Sequence, residues 1–292
     1  MSKLKDTLAN GTFAFTAELI PPKGVNLEPM FEKADFLKDL ITAFNLTDSY
    51  TAKMSMAPLA AARLLLDRGV ESILQLTCRD RNRIALQGDL LGAAALGLSN
   101  VVCMGGDPPD VGDHPEAKPV FDFDAVSLLE AITALGQGHD IHDNPLRGTP
   151  NFYAGAVTNP GADDLDWEIN RLGQKIEAGA QFFQTQAVYE PAAYEKFANA
   201  TAKHNVHMLP SIILLKSGDM ARFFNEKVPG ITVPDDIIKE MDDAKTPEER
   251  RAKSVEIAAR TIRGLRPLCQ GVHLIAAGWE SRLPQVIEQS TT

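Results

Sequence analysis

Short apolar runs alternate with longer amphipathic segments along the whole chain. Eight runs have the length and bulk of buried strands, and we predict strands at 13–20, 43–47, 72–77, 100–104, 151–157, 182–188, 207–214 and 271–277. The intervening segments predict helices at 28–40, 57–68, 83–96, 124–135, 164–178, 191–204, 235–243 and 247–265. Strand–helix alternation is typical of a parallel sheet. Eight such units in 292 residues favour an α/β fold of the (β/α)8 TIM barrel type over an open doubly wound sheet.

No linker, internal repeat or low-complexity segment interrupts this pattern, so we expect one domain over residues 1–292. The composition is that of a globular protein, with 44% hydrophobic and 23% charged residues. A formal net charge of −10 disfavours a broad nucleic-acid or anionic-membrane surface, although it leaves room for a local basic pocket. No apolar run is long enough for a membrane span or a signal peptide.

The three cysteines, Cys78, Cys103 and Cys269, are too few and too scattered for a disulfide framework or a CxxC metal site. They fit a reduced, cytoplasmic compartment. The loop 136–150 carries two histidines and two aspartates, which suggests a metal site. Because these residues lie on a loop rich in Gly and Pro and no further cluster completes a ligand set, we favour a solvated connection and expect no metal.

Polar side chains collect where the predicted strands end, which is where TIM barrels carry their chemistry. Glu18 lies in the apolar run "FTAELIPP", and a carboxylate there is either an outward-facing residue or an acid at the rim of a site. Asp107 follows Gly105-Gly106 and could cap a turn, but the glycines favour close approach of a ligand. Gln184 and Gln186 share one strand face, where they could bond a neighbouring strand or a polar ligand.

Several familiar motifs are absent from the sequence, including GxGxxG, GxxxxGK[ST], GxSxG and HExxH. A Rossmann site, a P-loop, an α/β-hydrolase and a zinc peptidase therefore have no local support. The charged run at 79–83, "RDRNR", has two interpretations. It is either the solvated start of a helix, which we favour, or a contact for a phosphate or carboxylate.

Five stretches, "TAELIPPKG", "LTCRD", "GLSNVVCMGGDPP", "KIEAGAQFFQTQAVYE" and "GVHLIAAGWE", together resemble the methylenetetrahydrofolate reductase family over about residues 13–287. The chain is similar to compact bacterial members of this family. The resemblance implies a flavin-binding TIM barrel that reduces 5,10-methylenetetrahydrofolate to 5-methyltetrahydrofolate, or runs the reverse reaction, in one-carbon metabolism and methionine biosynthesis. It implies FAD rather than FMN, and a homo-oligomer.

The resemblance also implies roles for residues at the strand ends. Glu18 and Asp107 fall on the family's catalytic positions, and Asp107 and Gln186 on its substrate contacts. The positions that correspond to flavin contacts in the family are Thr47, Gln75, Gly105, Gly106, Asp107, Phe121, Asp122, Asn159, Ala162 and Lys175.

The sequence departs from the family pattern at several of these places. Gln75 stands where a His is common, Gly105 where an Arg is common, and Gly155 where a Tyr often ends strand five. The loop after strand seven, "LLKSGDMARFF", lacks the aromatic residue that covers the nicotinamide face in some members. These departures leave the electron donor open between NAD(P)H and a partner redox protein.

Two other functions remain open from the sequence. A pterin-binding methyltransferase barrel would bind a similar folate without flavin. A folate-binding or scaffolding subunit would have lost catalysis altogether, although Glu18, Asp107 and Gln186 are all present.

Overall fold

The fold, seen in a computed structural model that describes residues 2–291, is a closed barrel of eight parallel strands. Each strand pairs with the next in chain order, and the eighth pairs with the first. This confirms the predicted (β/α)8 barrel, and all of the predicted strand bounds are correct to within two residues. The strands are β1 (Ala14–Leu19), β2 (Ala43–Leu46), β3 (Ser72–Thr77), β4 (Asn100–Met104), β5 (Tyr153–Thr158), β6 (Phe182–Ala187), β7 (His207–Ile213) and β8 (Gly271–Ile275).

Eleven α-helices lie in the described part of the chain, and the sequence predicted eight of them. They are α1 (Lys3–Ala9), α2 (Glu28–Leu37), α3 (Pro58–Leu66), α4 (Arg83–Ala95), α5 (Ala125–Gln137), α6 (Leu165–Glu177), α7 (Pro191–Thr201), α8 (Gly218–Lys227), α9 (Asp235–Asp243), α10 (Pro247–Leu265) and α11 (Leu283–Thr291). The three that sequence analysis missed are α1, α8 and α11. No helix among residues 2–291 has the length and apolar character needed to cross a membrane.

Side-chain caps fix where the longer helices begin. Asp124 and Ser127 form a reciprocal capping box at α5, and Thr246 and Glu249 form another at α10. Ser217 caps α8 by accepting the backbone N–H of Met220. The helices surround the barrel and bury the outward faces of the strands in one large apolar core.

The amino-terminal end of the barrel interior is apolar and closed by α1. Leu4 and Leu8 of α1 pack in one buried cluster with inward side chains of the strands, which are Ala14, Ala43, Ile73, Val102, Tyr153, Phe182 and Leu209. The Glu71 carboxylate accepts the backbone N–H groups of Lys3 and Leu4 at 2.8 and 2.9 Å, which holds the start of α1 against the barrel.

Gly155 belongs to this apolar layer for a steric reason. A Cβ at position 155 would lie 2.4 Å from the Phe182 ring. That ring stacks on Tyr153, with centroids 5.0 Å apart. The departure from the family pattern at Gly155 therefore makes room for a large aromatic side chain of the neighbouring strand.

Above this layer the interior becomes polar. Asn45 donates from Nδ2 to Gln184 Oε1 at 3.2 Å, and Thr16 Oγ1 lies 3.0 Å from His273 Nδ1. All four side chains are buried. Burial lowers the pKa of His273 to about 3, so this imidazole is neutral at physiological pH. Of the two glutamines on β6, Gln184 thus bonds Asn45 of β2 across the barrel interior, and not a residue of the neighbouring strands β5 or β7.

Candidate functional site

A cavity of about 460 Å3 opens at the carboxyl ends of the strands, the volume range of small-molecule sites. Residues from six of the eight strands or from the loops that follow them line it. Eight residues that sequence analysis singled out are among them: Glu18, Gln75, Gly105, Gly106, Asp107, Asn159, Lys175 and Gln186. The structure therefore brings Glu18, Asp107 and Gln186, which are distant in sequence, to one cavity.

Four residues implied by the family resemblance lie outside this lining. Thr47 is buried, with 1% of its surface exposed, and its hydroxyl has no partner within residues 2–291. The Asp122 carboxylate is engaged by the Arg83 backbone and guanidinium. Phe121 is 42% exposed with a left-handed backbone (φ 43°), and Ala162 lies in a turn after β5. Their assignment to the flavin site stays a prediction.

Other residues of the cavity were given no site role from the sequence, although Asp48, Thr77 and Thr158 stand at predicted strand ends and Arg79 lies in the charged run at 79–83. They are Asp48, Ser49, Tyr50, Thr51, Thr77, Arg79, Met104, Val157, Thr158, Glu168 and Thr185. For Glu168 a signal was present, because it lies seven residues before Lys175, two turns along one face of a predicted helix. For Asp48 the signal was its position directly after a buried strand.

Glu18 ends the inward face of β1 and is partly buried. Within residues 2–291 its carboxyl group has no hydrogen-bond or ion-pair partner. Burial, and then the negative charge of Glu280, raise the pKa of Glu18 to about 7. An acid with this pKa can both hold and release a proton near neutral pH, as a general acid must.

Tyr50 lies close enough to both Glu18 and Asp107 to interact with them electrostatically. Partial burial, and then the charges of Glu18 and Asp107, raise the pKa of the Tyr50 hydroxyl. The backbone around it is strained, because Thr51 adopts a left-handed conformation (φ 48°) that is rare for a β-branched residue, and Ser49 does so too (φ 53°). Such strain often occurs in ligand-binding segments, and here it lies at the cavity wall.

Buried charges fix the ends of β2, β3 and β4 relative to one another. The Asp48 carboxylate accepts from the Thr77 backbone N–H and hydroxyl at 2.8 and 2.9 Å, and it pairs with Arg81. Arg79 is 2% exposed and donates to the backbone carbonyls of Asp107 and Asp48. The run at 79–83, for which a solvated helix start was favoured, therefore contributes two arginines that hold the cavity wall in place.

Glycine is required in the wall beside Asp107. Gly106 has φ +93°, and a Cβ there would lie 2.9 Å from Thr77 Cβ. Gly105 differs, because a Cβ there would meet nothing within 4 Å. Gly105 is exposed and borders the cavity, so its bare backbone is open to a ligand.

The wall next to it, at the end of β5, carries a buried lysine and a buried glutamate from α6. Lys175 Nζ donates to the Val157 carbonyl at 2.7 Å, and burial lowers its pKa. The Glu168 carboxylate accepts from the Thr158 hydroxyl at 2.6 Å and from the Asn159 backbone N–H at 3.0 Å. Lys175 is an ammonium donor with two N–H groups beyond its backbone bond, which suits a phosphate or a sugar hydroxyl.

In the loop 136–150, the polar groups are engaged locally. Asp140 accepts from the backbone N–H groups of His142 and Asn144, and His139 lies 3.4 Å from Asp143. Within residues 2–291 there is no group of three or more His, Cys, Asp or Glu side chains arranged to hold a metal ion.

Comparison with known proteins places this architecture in a family. The family model "Methylenetetrahydrofolate reductase" matches residues 3–291. The Schizosaccharomyces pombe protein "Methylenetetrahydrofolate reductase 2" is 26% identical over 307 aligned positions, which cover 98% of this chain and 47% of that protein. The Arabidopsis thaliana "Methylenetetrahydrofolate reductase (NADH) 1" is 25% identical over 84% of this chain and 43% of its own length. The chain thus spans less than half the length of these relatives.

A solved structure shares the fold at lower sequence identity. It is an uncharacterized protein from Clostridium thermocellum, described as binding two copies of 5-methyl-5,6,7,8-tetrahydrofolic acid. It superimposes with a TM-score of 0.62 over 99% of this chain and 98% of its own, at 16% identity. Because the family model covers nearly all of the described barrel, the chain belongs to the methylenetetrahydrofolate reductase family.

Proposed function

We propose that this protein is a flavin-dependent reductase that converts 5,10-methylenetetrahydrofolate to 5-methyltetrahydrofolate, with FAD as the flavin. The observation that carries the proposal is the meeting of Glu18, Asp107 and Gln186 in one cavity at the carboxyl end of a family-matched barrel. The Clostridium thermocellum neighbour, described as binding the methylated folate, supports the substrate class. The free, buried cysteines support a reduced cytoplasmic location.

The cavity wall fits a flavin. The open backbone at Gly105 leaves room for a flat ring to lie against the end of β4, and the neighbouring wall at the end of β5 presents Lys175 for a phosphate or ribityl hydroxyl. Gln75 and Asn159 add amide groups that can hydrogen-bond the polar edge of a heterocycle. When bound, reduced flavin would supply the hydride, while the protein supplies position and electrostatics.

Glu18 performs the proton transfer in this proposal. The methylene bridge of the substrate joins two nitrogens, and it becomes electrophilic when one carbon–nitrogen bond opens to leave a cationic iminium carbon. Opening requires a proton on the leaving nitrogen, and Glu18, with a pKa of about 7, can donate it directly or through water. The proton moves from the Glu18 carboxyl to that nitrogen, and Glu18 is left as a carboxylate.

Asp107 and Gln186 act on the cationic intermediate and on the pterin. The Asp107 carboxylate borders the same cavity and would stabilise the positive iminium carbon. Gln186 is partly buried at the end of β6, where its amide can hydrogen-bond the pterin ring on both its donor and acceptor sides.

An anaerobic redox series tests this proposal. Purified protein should carry a yellow chromophore that is released as FAD on denaturation, and reduction followed by 5,10-methylenetetrahydrofolate should reoxidise it with formation of 5-methyltetrahydrofolate. NADH, NADPH and reduced redox proteins are compared as donors for the first half-reaction. The departures around the loop after β7 lead us to expect that a partner redox protein reduces the flavin faster than NAD(P)H.

The same series separates the other candidate functions. A colourless protein that binds the folate and transfers a methyl group would replace the reductase with a methyltransferase barrel. A protein that binds folate but neither reduces nor transfers it would be a folate-binding subunit. Mass measurement in solution tests the homo-oligomer that the family resemblance implies.

A further inference from the structure

Glu18 lies between two cavities rather than at the edge of one. Besides the main cavity it borders a second one of about 290 Å3, enclosed by the end of β1, the start of α2 and the segment after β8. Lys33 of α2 and Glu280 of the segment after β8 also line this second cavity. Glu18 therefore borders both cavities, whereas Asp107 and Gln186 line only the main one.

Two residues that line the second cavity, Lys33 and Glu280, form an ion pair. Lys33 Nζ lies 2.8 Å from Glu280 Oε1, and the Glu280 side chain is 16% exposed. A tight turn positions Glu280, with left-handed backbone at Ala277 (φ 52°) and at Gly278 (φ 90°). For Ala277 this conformation is unfavourable, so the turn is maintained by its surroundings.

We propose that the Lys33–Glu280 pair, acting across the second cavity, controls whether Glu18 carries the proton needed for the reaction. Both are positioning residues, because they act through Glu18 and not on the substrate. The proposal rests on the proposed function, in which Glu18 gives one proton to the substrate nitrogen and must regain one from water in each turnover. The second cavity gives water access to Glu18 while ligands fill the main one.

The charges that face Glu18 support this arrangement. In the main cavity Tyr50 lies near Glu18 and Asp107 borders the same space, and in the second cavity Glu280 and Lys33 share the lining with Glu18. Glu280 is the charge that adds to burial in raising the pKa of Glu18. Lys216 lies near the same turn, where a Cβ on Gly278 would be 3.6 Å from its ammonium group, but it does not line the second cavity.

Opposite changes to the pair should move the Glu18 titration in opposite directions. Glu280→Gln removes a negative charge and leaves Lys33 unpaired, so the pKa of Glu18 should fall by on the order of half a unit or more. Lys33→Met leaves Glu280 uncompensated, so the pKa of Glu18 should rise by a similar amount. The measurement is 13C NMR of protein labelled at glutamate side-chain carboxyls, with the Glu18 signal assigned by its loss in Glu18→Gln.

A matched control uses another Lys–Glu pair. Glu256→Gln removes a carboxylate that pairs with Lys253 at 2.6 Å on α10, away from both cavities, and should leave the Glu18 titration unchanged. Shifts of the same sign in both test variants, or none, would overturn the proposal. Because the NMR titration needs no turnover, it gives its answer even if the reductase assay fails. If the protein reduces the folate, the alkaline limb of the kcat profile should shift with the Glu18 pKa.

Discussion

The two ends of the barrel interior are built on the same strands but have opposite chemistry. At the amino end, Ala14, Ile73 and Phe182 belong to a sealed apolar layer. Four residues further along the same three strands, and therefore on the same inward face, Glu18, Thr77 and Gln186 line the open cavity. A distance of about 13 Å along each strand thus separates the groups that stabilise the barrel from those that would act on a substrate.

The largest predicted effect is on the free energy of unfolding, and it should come from substitution in the apolar layer at the amino end of the barrel. Phe182 is fully buried and stacks on Tyr153, so Phe182→Ala should lower the free energy of unfolding by about 3–5 kcal/mol through lost packing and a cavity. Phe223→Ala on the exposed face of α8, where the ring is 55% exposed, is the control and should change it by about 0.5 kcal/mol or less. Urea unfolding measures both, and equal effects would mean that the apolar layer contributes no special stability.

Substitution at the open end should change chemistry without lowering stability. Glu18→Gln should keep the fold and the bound flavin but slow folate reduction by ~10²-fold or more, the usual effect of losing a general acid. Single-turnover reoxidation of the reduced protein by the folate measures this rate. Near-normal turnover would remove Glu18 from the mechanism.

Asp107→Ala should have a smaller effect than Glu18→Gln, and the effect should be on folate binding. Losing a carboxylate that borders the cavity removes a hydrogen-bond acceptor for the folate, so it should weaken folate affinity about tenfold and change the rate of flavin reduction. Titration of the oxidised protein with the folate measures the affinity. If both quantities stay at their original values, Asp107 serves only to shape the turn after β4.

Glu18 and His273 should contribute to the pH dependence of stability with opposite signs. The native pKa of Glu18, about 7, lies above the reference value of 4.5, so its contribution is complete below pH 4.5 and is lost as pH rises towards 7. The native pKa of His273, about 3, lies below the reference of 6.5, so its contribution is complete above pH 6.5 and is lost as pH falls. Each slope is at most about 1.4 kcal/mol per pH unit.

Between pH 4.5 and 6.5 these slopes cancel in the native protein, and Glu18→Gln should reveal the His273 slope. The variant should also be more stable than the parent at pH 8, because no carboxylate need be desolvated there. Urea unfolding at pH 5, 6.5 and 8 gives the comparison. Parallel pH profiles for parent and variant would contradict it.

The smallest predicted effects are on flavin affinity, where substitution of a cavity residue is compared with substitution of a residue outside the cavity. Lys175→Met should weaken flavin binding roughly tenfold, since it removes a buried cation from the cavity wall. Asp122→Asn should change flavin affinity by about twofold or less, because the structure places Asp122 on Arg83 and outside the lining. Flavin release measured by fluorescence tests both, and a strong effect of Asp122→Asn would restore its implied role.

Periodicity was enough to predict the barrel because each strand is buried and each long helix has an amphipathic face. It failed for α8, where Ser217 and Gly218 have the composition of a loop, yet the Ser217 hydroxyl caps the helix. It also gave no reason for Gly155, since the space that Phe182 needs depends on pairing between β5 and β6. Contacts between strands distant in sequence carry no local signal.

The site was predictable in part for the same reason. Glu18, Asp107 and Gln186 each stand at a strand end, so the barrel hypothesis was sufficient to bring them together. The influence of Glu280 on Glu18 was not predictable, because the position of Glu280 depends on a strained turn at Ala277. The structural roles of Asp48 and Arg79 in the cavity wall were not predictable, because these roles depend on the two residues being buried next to each other.

The helix α1 gives the barrel a floor, and this matters to anyone who trims the chain. A protein that starts after Asn10 would lack Leu4 and Leu8. The apolar side chains around Ile73 and Val102 would then be exposed to water. Such a shortened protein should aggregate or bind hydrophobic dyes, even though no residue of the main cavity has been altered.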